Sequence, residues 1–161
     1  MSLSYELLSE LDELQMRYIL AVDSADMEGW LATFGPEGSY SCTTAEADEA
    51  ELPIALILDD CYARLTDRVK FVNRVWEGTV HKYRTRHIVQ RLSCEQISPN
   101  RFLAYSNFIV AYSRSDTKTT EIYTSGKYID EIDVVDDKAA FRSKRAIMDA
   151  DFLKHYMVYP M

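Results

Sequence analysis

The sequence predicts one α+β domain, in which helices come first and a sheet of long antiparallel strands follows. Apolar residues recur at helical spacing in the first third of the chain. From about residue 70 onward, strand patterns separated by turn signals dominate. Helices followed by strands favour α+β over α/β. The chain has 161 residues, 47% of them hydrophobic, so residues 1–161 are predicted to form a single domain with one core.

Two helices are predicted before residue 35. The first covers residues 5–22, and Ser2 or Ser4 can cap its start. Its apolar stripe contains Leu7, Leu11, Leu14, Tyr18 and Ala21. Asp26 can cap a short second helix. The apolar residues of that helix are Trp30, Leu31 and Phe34.

The next thirty residues are predicted to contain a turn, a short strand, a loop and a third helix. Residues 35–38 (Gly-Pro-Glu-Gly) form a turn, and residues 39–43 the strand. Residues 44–51 are small or acidic and predict a loop, after which Pro53 suits the first turn of a helix. The apolar stripe of this helix would contain Ile54, Ile57, Leu58, Cys61 and Leu65.

Turn signals divide the rest of the chain into long strands. The signals are residues 98–100 (Ser-Pro-Asn), residues 114–117 and residues 136–137 (Asp-Asp). The strands between them have roughly 10–14 residues, which is long for a small domain. A strongly twisted sheet that curls round the 5–22 helix would bury both apolar surfaces. Both faces of residues 102–112 are fairly apolar, so the second face needs another cover, which predicts self-association as a trimer.

Composition and charge argue against several classes of function. The net charge is −8 and the pI is near 4.9, which disfavours nucleic acid because phosphate binding needs a positive field. No apolar run approaches the ~18 residues that span a membrane, and the N-terminus lacks the regions of a secretory signal. Three widely spaced cysteines, Cys42, Cys61 and Cys94, are expected to be reduced thiols in a cytoplasmic protein.

Against this acidic background, residues 81–92 (HKYRTRHIVQRL) form a basic stretch with two of the three histidines. In a strand, His81 and His87 would point the same way but lie ~20 Å apart, too far to share one metal ion. The chain has no Cys-x-His or Cys-x-x-His spacing and no local two-histidine-plus-carboxylate pattern. We therefore expect no metal site and no cofactor in this chain.

The residue types in the basic stretch leave two pairs of interpretations open. His87 could take part in proton transfer with Asp23 and Tyr40, or it could be a hydrogen-bonded histidine within a sheet. Arg84 and Arg86 share one strand face and could pair with the carboxylates of a partner protein. They could equally form an exposed basic edge that deters aggregation.

Five segments resemble the small (β) subunit of aromatic-ring-hydroxylating dioxygenases. They are TDRVKFVNRVWEG, KYRTRHIVQRLS, RFLAYSNFIVAYSR, EIYTSGKYIDEI and KAAFRSKRAIMDADFLKHYMVYPM. The RxRH element, the SNF strand and the basic strand that ends in Asp and an apolar tail carry most of the resemblance. The VYPM ending is most similar to the salicylate-hydroxylase branch.

The resemblance implies a cystatin-like α+β cone, the fold of scytalone dehydratase and ketosteroid isomerase. It also implies a hetero-oligomer, commonly a hetero-hexamer with three copies of each subunit. In that assembly the large (α) subunit holds a Rieske 2Fe-2S cluster and a mononuclear iron, and the small subunit is structural. The family's basic strand lies among the subunit contacts, so the expected partner-interface residues are Arg84, Arg86, His87 and Arg91. Because folds host unrelated functions, a free-standing dehydratase or isomerase that uses Asp23, Tyr40 and His87 is the alternative.

Overall fold

As predicted, the helices come before the four long strands in the computed structural model, which describes residues 3–76, 78, 83–153 and 156–161. The helices are α1 (Tyr5–Asp23), α2 (Met27–Leu31), α3 (Ala45–Glu49) and α4 (Tyr62–Phe71), and α4 runs into a π-helical turn, Val72–Trp76. The strands are β1 (Phe34–Thr44), β2 (Ile57–Asp59), β3 (Tyr83–Ser98), β4 (Arg101–Arg114), β5 (Thr120–Val135) and β6 (Lys138–Met148).

The strands of the described part of the chain form one sheet with the order β2-β1-β6-β5-β4-β3. Strands β3 to β6 form the predicted antiparallel meander. Asp136 and Asp137, in the turn between β5 and β6, both have positive φ angles, as a tight hairpin turn requires. Strand β1 pairs antiparallel with β2 but parallel with β6, so the sheet is mixed. The α+β class is confirmed, and the parallel pair is a departure from the wholly antiparallel sheet that was predicted.

Local patterns misplaced several boundaries before residue 65. The predicted turn at residues 35–38 lies inside β1, where a break in the register between Phe34 and Ser39 absorbs it. The predicted loop at residues 44–51 contains α3, whose first turn is capped by the Thr44 hydroxyl. The predicted third helix is wrong at its start, because Ile57 pairs with Cys42 in the sheet and α4 begins only at Tyr62. Short apolar runs such as residues 54–58 suit a strand as well as a helix.

Helix α1 covers one face of the sheet and supplies much of the core. As predicted, the Ser4 hydroxyl caps its start by accepting a hydrogen bond from the Leu7 N–H at 3.2 Å. Its buried residues are Leu11, Leu14, Tyr18, Ala21 and Val22. They join alternate residues of β4 in the same core, namely Phe102, Ala104, Phe108 and Val110. The helix packs against β3 and β6, so its last turn lies beside the basic strand.

The opposite face of β3, β4 and β5 points away from α1 and is called the outer face below. Its central side chains, Ile88, Ile109 and Ile122, are 63%, 39% and 62% exposed. Arg84 and Arg86 lie on the same face of β3, because Thr85, which lies between them, and His87, which follows Arg86, are both buried on the other face. This surface is therefore apolar at its centre and basic at one edge.

Candidate functional site

Asp23, the last residue of α1, receives hydrogen bonds from two residues of β3. The Thr85 hydroxyl donates to Asp23 Oδ1 at 2.8 Å, and the His87 backbone N–H donates to Oδ2 at 3.1 Å. The His87 ring nitrogen Nδ1 lies 2.6 Å from Asp23 Oδ1. An ionised carboxylate only accepts hydrogen bonds, so Nδ1 carries the proton. The other ring nitrogen, Nε2, is buried and has no hydrogen-bond partner among the described residues.

These contacts keep Asp23 ionised. Burial alone would raise the pKa of the Asp23 carboxyl, but the interactions with His87 and the Thr85 hydroxyl outweigh burial and lower the pKa from its ordinary value of 3.8. A carboxylate bonded to one imidazole nitrogen fixes the tautomer and orientation of the ring. The pair can therefore present Nε2 as a proton acceptor, and it also fastens the end of α1 to β3.

We expect Asp23→Asn to lower the free energy of unfolding by about 2 kcal/mol, because a neutral amide replaces an ionised acceptor. Since the folded pKa of Asp23 is lowered, its extra stability is present above pH 3.8 and is lost as the pH falls through the folded pKa. The difference between the native chain and Asp23→Asn should therefore shrink on acidification. Urea unfolding from pH 7 to pH 3 measures it.

The matched control for this prediction is Asp12→Asn. The Asp12 carboxylate pairs with Arg91 at 2.8 Å, but its side chain is half exposed, so the loss should stay below ~1 kcal/mol. Equal losses at Asp12 and Asp23, or a loss at Asp23 that does not change with pH, would contradict the special role of the buried contact.

The structure brings together two of the three residues predicted for proton transfer. Asp23 and His87 are in direct contact, whereas the hydroxyl of Tyr40 is engaged elsewhere. It accepts a hydrogen bond from the Met161 backbone N–H at 2.8 Å and lies 3.3 Å from the Met161 main-chain oxygen. Tyr18 donates to the same oxygen. Tyr40 is therefore a binding partner of the 156–161 segment.

The predicted partner-interface residues fall on two faces of β3. Arg84 and Arg86 are exposed on the outer face, where Arg86 also donates to the Thr85 carbonyl of its own strand at 2.7 Å. His87 points inward to Asp23, and Arg91 reaches Asp12 on α1. His81, which the metal argument considered, lies outside the described residues together with Lys82.

A buried ion pair, which the sequence reasoning missed, lies in the core between β5 and β6. Lys144 Nζ donates to Asp130 Oδ2 at 2.9 Å and to Gln15 Oε1 on α1 at 3.0 Å. The ammonium group lies over three aromatic rings at 4.5, 3.8 and 4.4 Å from their centroids, those of Tyr18, Tyr128 and Phe141. The available signal was that Asp130 falls between Tyr128 and Ile132 at inward strand positions.

The environment of this pair disfavours both charges. Burial raises the pKa of Asp130, while the attraction of Lys144 opposes the rise. Burial likewise lowers the pKa of Lys144, and Asp130 opposes the decrease. Each charge therefore depends on the other.

Within the described ranges no three His, Cys, Asp or Glu side chains are placed to hold a metal ion.

Known proteins resemble this chain in sequence and in fold. The sequence model of a family described as "Ring hydroxylating beta subunit" matches residues 17–155. The anthranilate 1,2-dioxygenase small subunit of Burkholderia cepacia is 26% identical over 152 residues, which cover 94% of this chain and 92% of the relative. A Novosphingobium aromaticivorans structure, provisionally assigned as the β subunit of an aromatic-ring-hydroxylating dioxygenase, superposes with a TM-score of 0.79 at 25% identity and 88% coverage of each chain.

The fold is also shared outside that group. A second structure from the same organism, provisionally assigned as a scytalone dehydratase, superposes with a TM-score of 0.63 at 15% identity, over 93% of this chain and 89% of the other. That likeness concerns the fold alone, and it agrees with the predicted cone. The family match, in contrast, spans most of the sequence, including α4 and the four long strands. This chain therefore belongs to the β-subunit family of ring-hydroxylating enzymes.

Proposed function

We propose that this chain is the non-catalytic, structural small subunit of a multicomponent aromatic-ring-hydroxylating dioxygenase in aromatic compound catabolism. The family match over residues 17–155 is the observation that carries the proposal. In this role the chain assembles with the large (α) subunit and stabilises it. The Rieske 2Fe-2S cluster and the mononuclear iron belong to that large subunit, so the oxidoreductase active site lies on the partner chain.

The outer face suits this role. It presents three exposed isoleucines beside Arg84 and Arg86. Apolar centres and arginine are typical of protein interfaces, and large exposed apolar patches on soluble domains mark interaction sites. We assign Arg84 and Arg86 to direct contacts with the partner, while His87 and Arg91 hold β3 against α1 from its inner face. The remaining apolar area supports a trimer within a hetero-hexamer.

The three cysteines support a cytoplasmic place of assembly. Cys42, Cys61 and Cys94 are all free. Free cysteines are usual in reducing compartments, which supports a cytoplasmic location. Among the described helices, none has the length and apolar character needed to cross a membrane.

The test is to purify this chain alone and together with its large subunit. Alone, the chain should have the molar mass of a trimer of 18.6 kDa chains when measured by light scattering. It should also contain no iron and show no visible absorption. Co-expressed with the large subunit, it should co-purify in equal amount, and the complex should carry the iron. Stoichiometric iron on the isolated chain, or failure of the two chains to associate, would contradict the subunit role. A strict monomer at micromolar concentration would contradict the trimer alone.

A free-standing dehydratase or isomerase is the second candidate, and the Asp23–His87 contact is the observation that favours it. A buried, oriented imidazole with an unpartnered Nε2 is suited to proton transfer. Tyr40, the third residue predicted for this candidate, has its hydroxyl hydrogen-bonded to Met161 in this structure. Co-purification separates the two candidates, since a free-standing enzyme needs no large subunit.

A further inference from the structure

Residues 156–161 are fastened to the core by tyrosine side chains. The segment belongs to no strand, and no backbone–backbone hydrogen bond joins it to the rest of the described chain. The Tyr123 hydroxyl instead donates to the Tyr156 carbonyl at 3.1 Å, and the ring of Tyr159 packs edge-on against Tyr83. Val158 and Met161 are only 2% and 3% exposed. Among the described residues, the ties of this segment to the core therefore involve side chains.

The innermost contact of the segment resembles a bound ligand. Two buried hydroxyls, those of Tyr18 and Tyr40, converge on the main-chain oxygen of Met161. Burial raises the pKa of both tyrosines, so both remain protonated donors at neutral pH. The ring of Trp30 stands beside Tyr40, with ring centroids 5.8 Å apart. The two hydroxyls therefore bind an acceptor oxygen that belongs to an apolar residue.

Departure of the segment would leave a defined site. The Tyr18 and Tyr40 hydroxyls would be buried without their acceptor, which is costly unless another group replaces it. The Met161 and Val158 side chains belong to the same buried core as Tyr18, Tyr40 and Trp30, so their removal would open space within that core. Concave, mainly apolar sites with a few convergent polar groups are typical of small-molecule binding.

We propose that Tyr18 and Tyr40 form the polar anchor of a small-molecule site that residues 158–161 occupy as an internal plug. The ligand is a small apolar molecule with a carbonyl or carboxylate oxygen, which replaces the Met161 oxygen between the two hydroxyls. The site is internal and separate from the outer face, so the inference goes beyond the proposed subunit role.

The test uses the full chain and three probes of similar size. Acetophenone offers a carbonyl, phenylacetate offers a carboxylate, and ethylbenzene offers neither. Calorimetry should show that acetophenone or phenylacetate binds about threefold to tenfold more tightly than ethylbenzene. This ratio is the effect of one hydrogen bond. Met161→Ala should tighten binding about tenfold further, because the competing plug is weakened. Met16→Ala, at an exposed methionine of α1, is the matched control and should bind as the native chain does.

Tyr40→Phe should reduce the preference for acetophenone over ethylbenzene, because one of the two hydroxyl donors is lost. The variant also loses two hydrogen bonds to Met161, so the ratio of the two affinities is the readout. The relative affinities of acetophenone and phenylacetate distinguish a neutral carbonyl ligand from an anionic one. Quenching of Trp30 fluorescence, in a chain that also carries Trp76→Phe, should report binding at this site. The inference is overturned if no probe binds either the native chain or Met161→Ala, or if ethylbenzene binds as tightly as both oxygen-bearing probes. If Met161→Ala does not fold, binding of the three probes to the native chain and to Tyr40→Phe decides the question.

Discussion

Replacing Lys144 by methionine should lower the free energy of unfolding by about 3–5 kcal/mol, because the Asp130 carboxylate would remain buried in the core without a partner. The Lys144 side chain is fully buried and that of Asp130 is nearly so. Methionine keeps most of the side-chain volume but removes the ion pair, the bond to Gln15 and the attraction to the aromatic rings. Urea unfolding of the native chain and Lys144→Met at pH 7 measures the loss.

The stability of Lys144→Met should also change with pH in a defined direction. Burial raises the pKa of Asp130, and without Lys144 nothing opposes that rise. A carboxyl with a raised folded pKa binds more protons in the folded state than in the unfolded state, so folding of the variant is favoured at low pH. The stability of Lys144→Met should therefore fall as the pH rises through the folded pKa of Asp130. The defect relative to the native chain should be smaller in acid.

Two control variants make this test specific. The double variant Lys144→Met with Asp130→Leu removes both charges, and it should recover most of the lost stability because a buried pair can often be replaced by apolar residues. Lys70→Met breaks the exposed pair with Asp67 and should cost less than ~1 kcal/mol. A Lys144→Met loss as small as that of Lys70→Met would show that the core accommodates an unpaired carboxylate.

The double variant Arg84→Ala with Arg86→Ala should weaken association with the large subunit by about 2–5 kcal/mol, at least a tenfold loss of affinity. The cost arises because carboxylates on the partner would remain buried and unpaired. Both arginines are exposed in the isolated chain, so its melting temperature should change little. Thermal melting of the chain and quantitative co-purification with the large subunit separate the two effects.

The control for this pair is Arg64→Ala. Arg64 is exposed, pairs with its helix neighbour Asp60 and donates to the Leu58 carbonyl at 3.5 Å, away from the outer face, so its loss should affect neither measurement. If the double variant still co-purifies with the large subunit, Arg84 and Arg86 form a solvated basic edge and are not needed for the contact. A collapse in melting would instead place them in the internal packing of the fold.

The elements that sequence patterns predict best are those whose signals are local. The cap at Ser4, the stripe of α1 and the turn at Asp136-Asp137 depend on residues a few positions apart. The β2 strand was missed because its identity comes from pairing Ile57 with Cys42, which a local apolar run does not reveal. The parallel pairing of β1 with β6 likewise depends on the assembled sheet.

The same division applies to the site. Inward orientation of His87 and its proximity to the end of α1 could be predicted from strand alternation and helix length. The bonds from Thr85 and the His87 backbone to Asp23 needed the real register of β3 against the helix. Tyr40 was placed correctly in a strand, but the segment that engages its hydroxyl lies at the other end of the sequence.

The parallel pairing of β1 with β6 determines when the domain can fold during synthesis. Strand β1 leaves the ribosome early, yet its neighbour β6 is the last strand to emerge. Until then the buried side of β1 lacks its central partner, and the apolar stripe of α1 lacks part of the surface it covers. Such long-range pairing slows folding and leaves apolar surface exposed on the unfinished chain. We therefore expect nascent chains to expose part of their apolar core surface until β6 has been made.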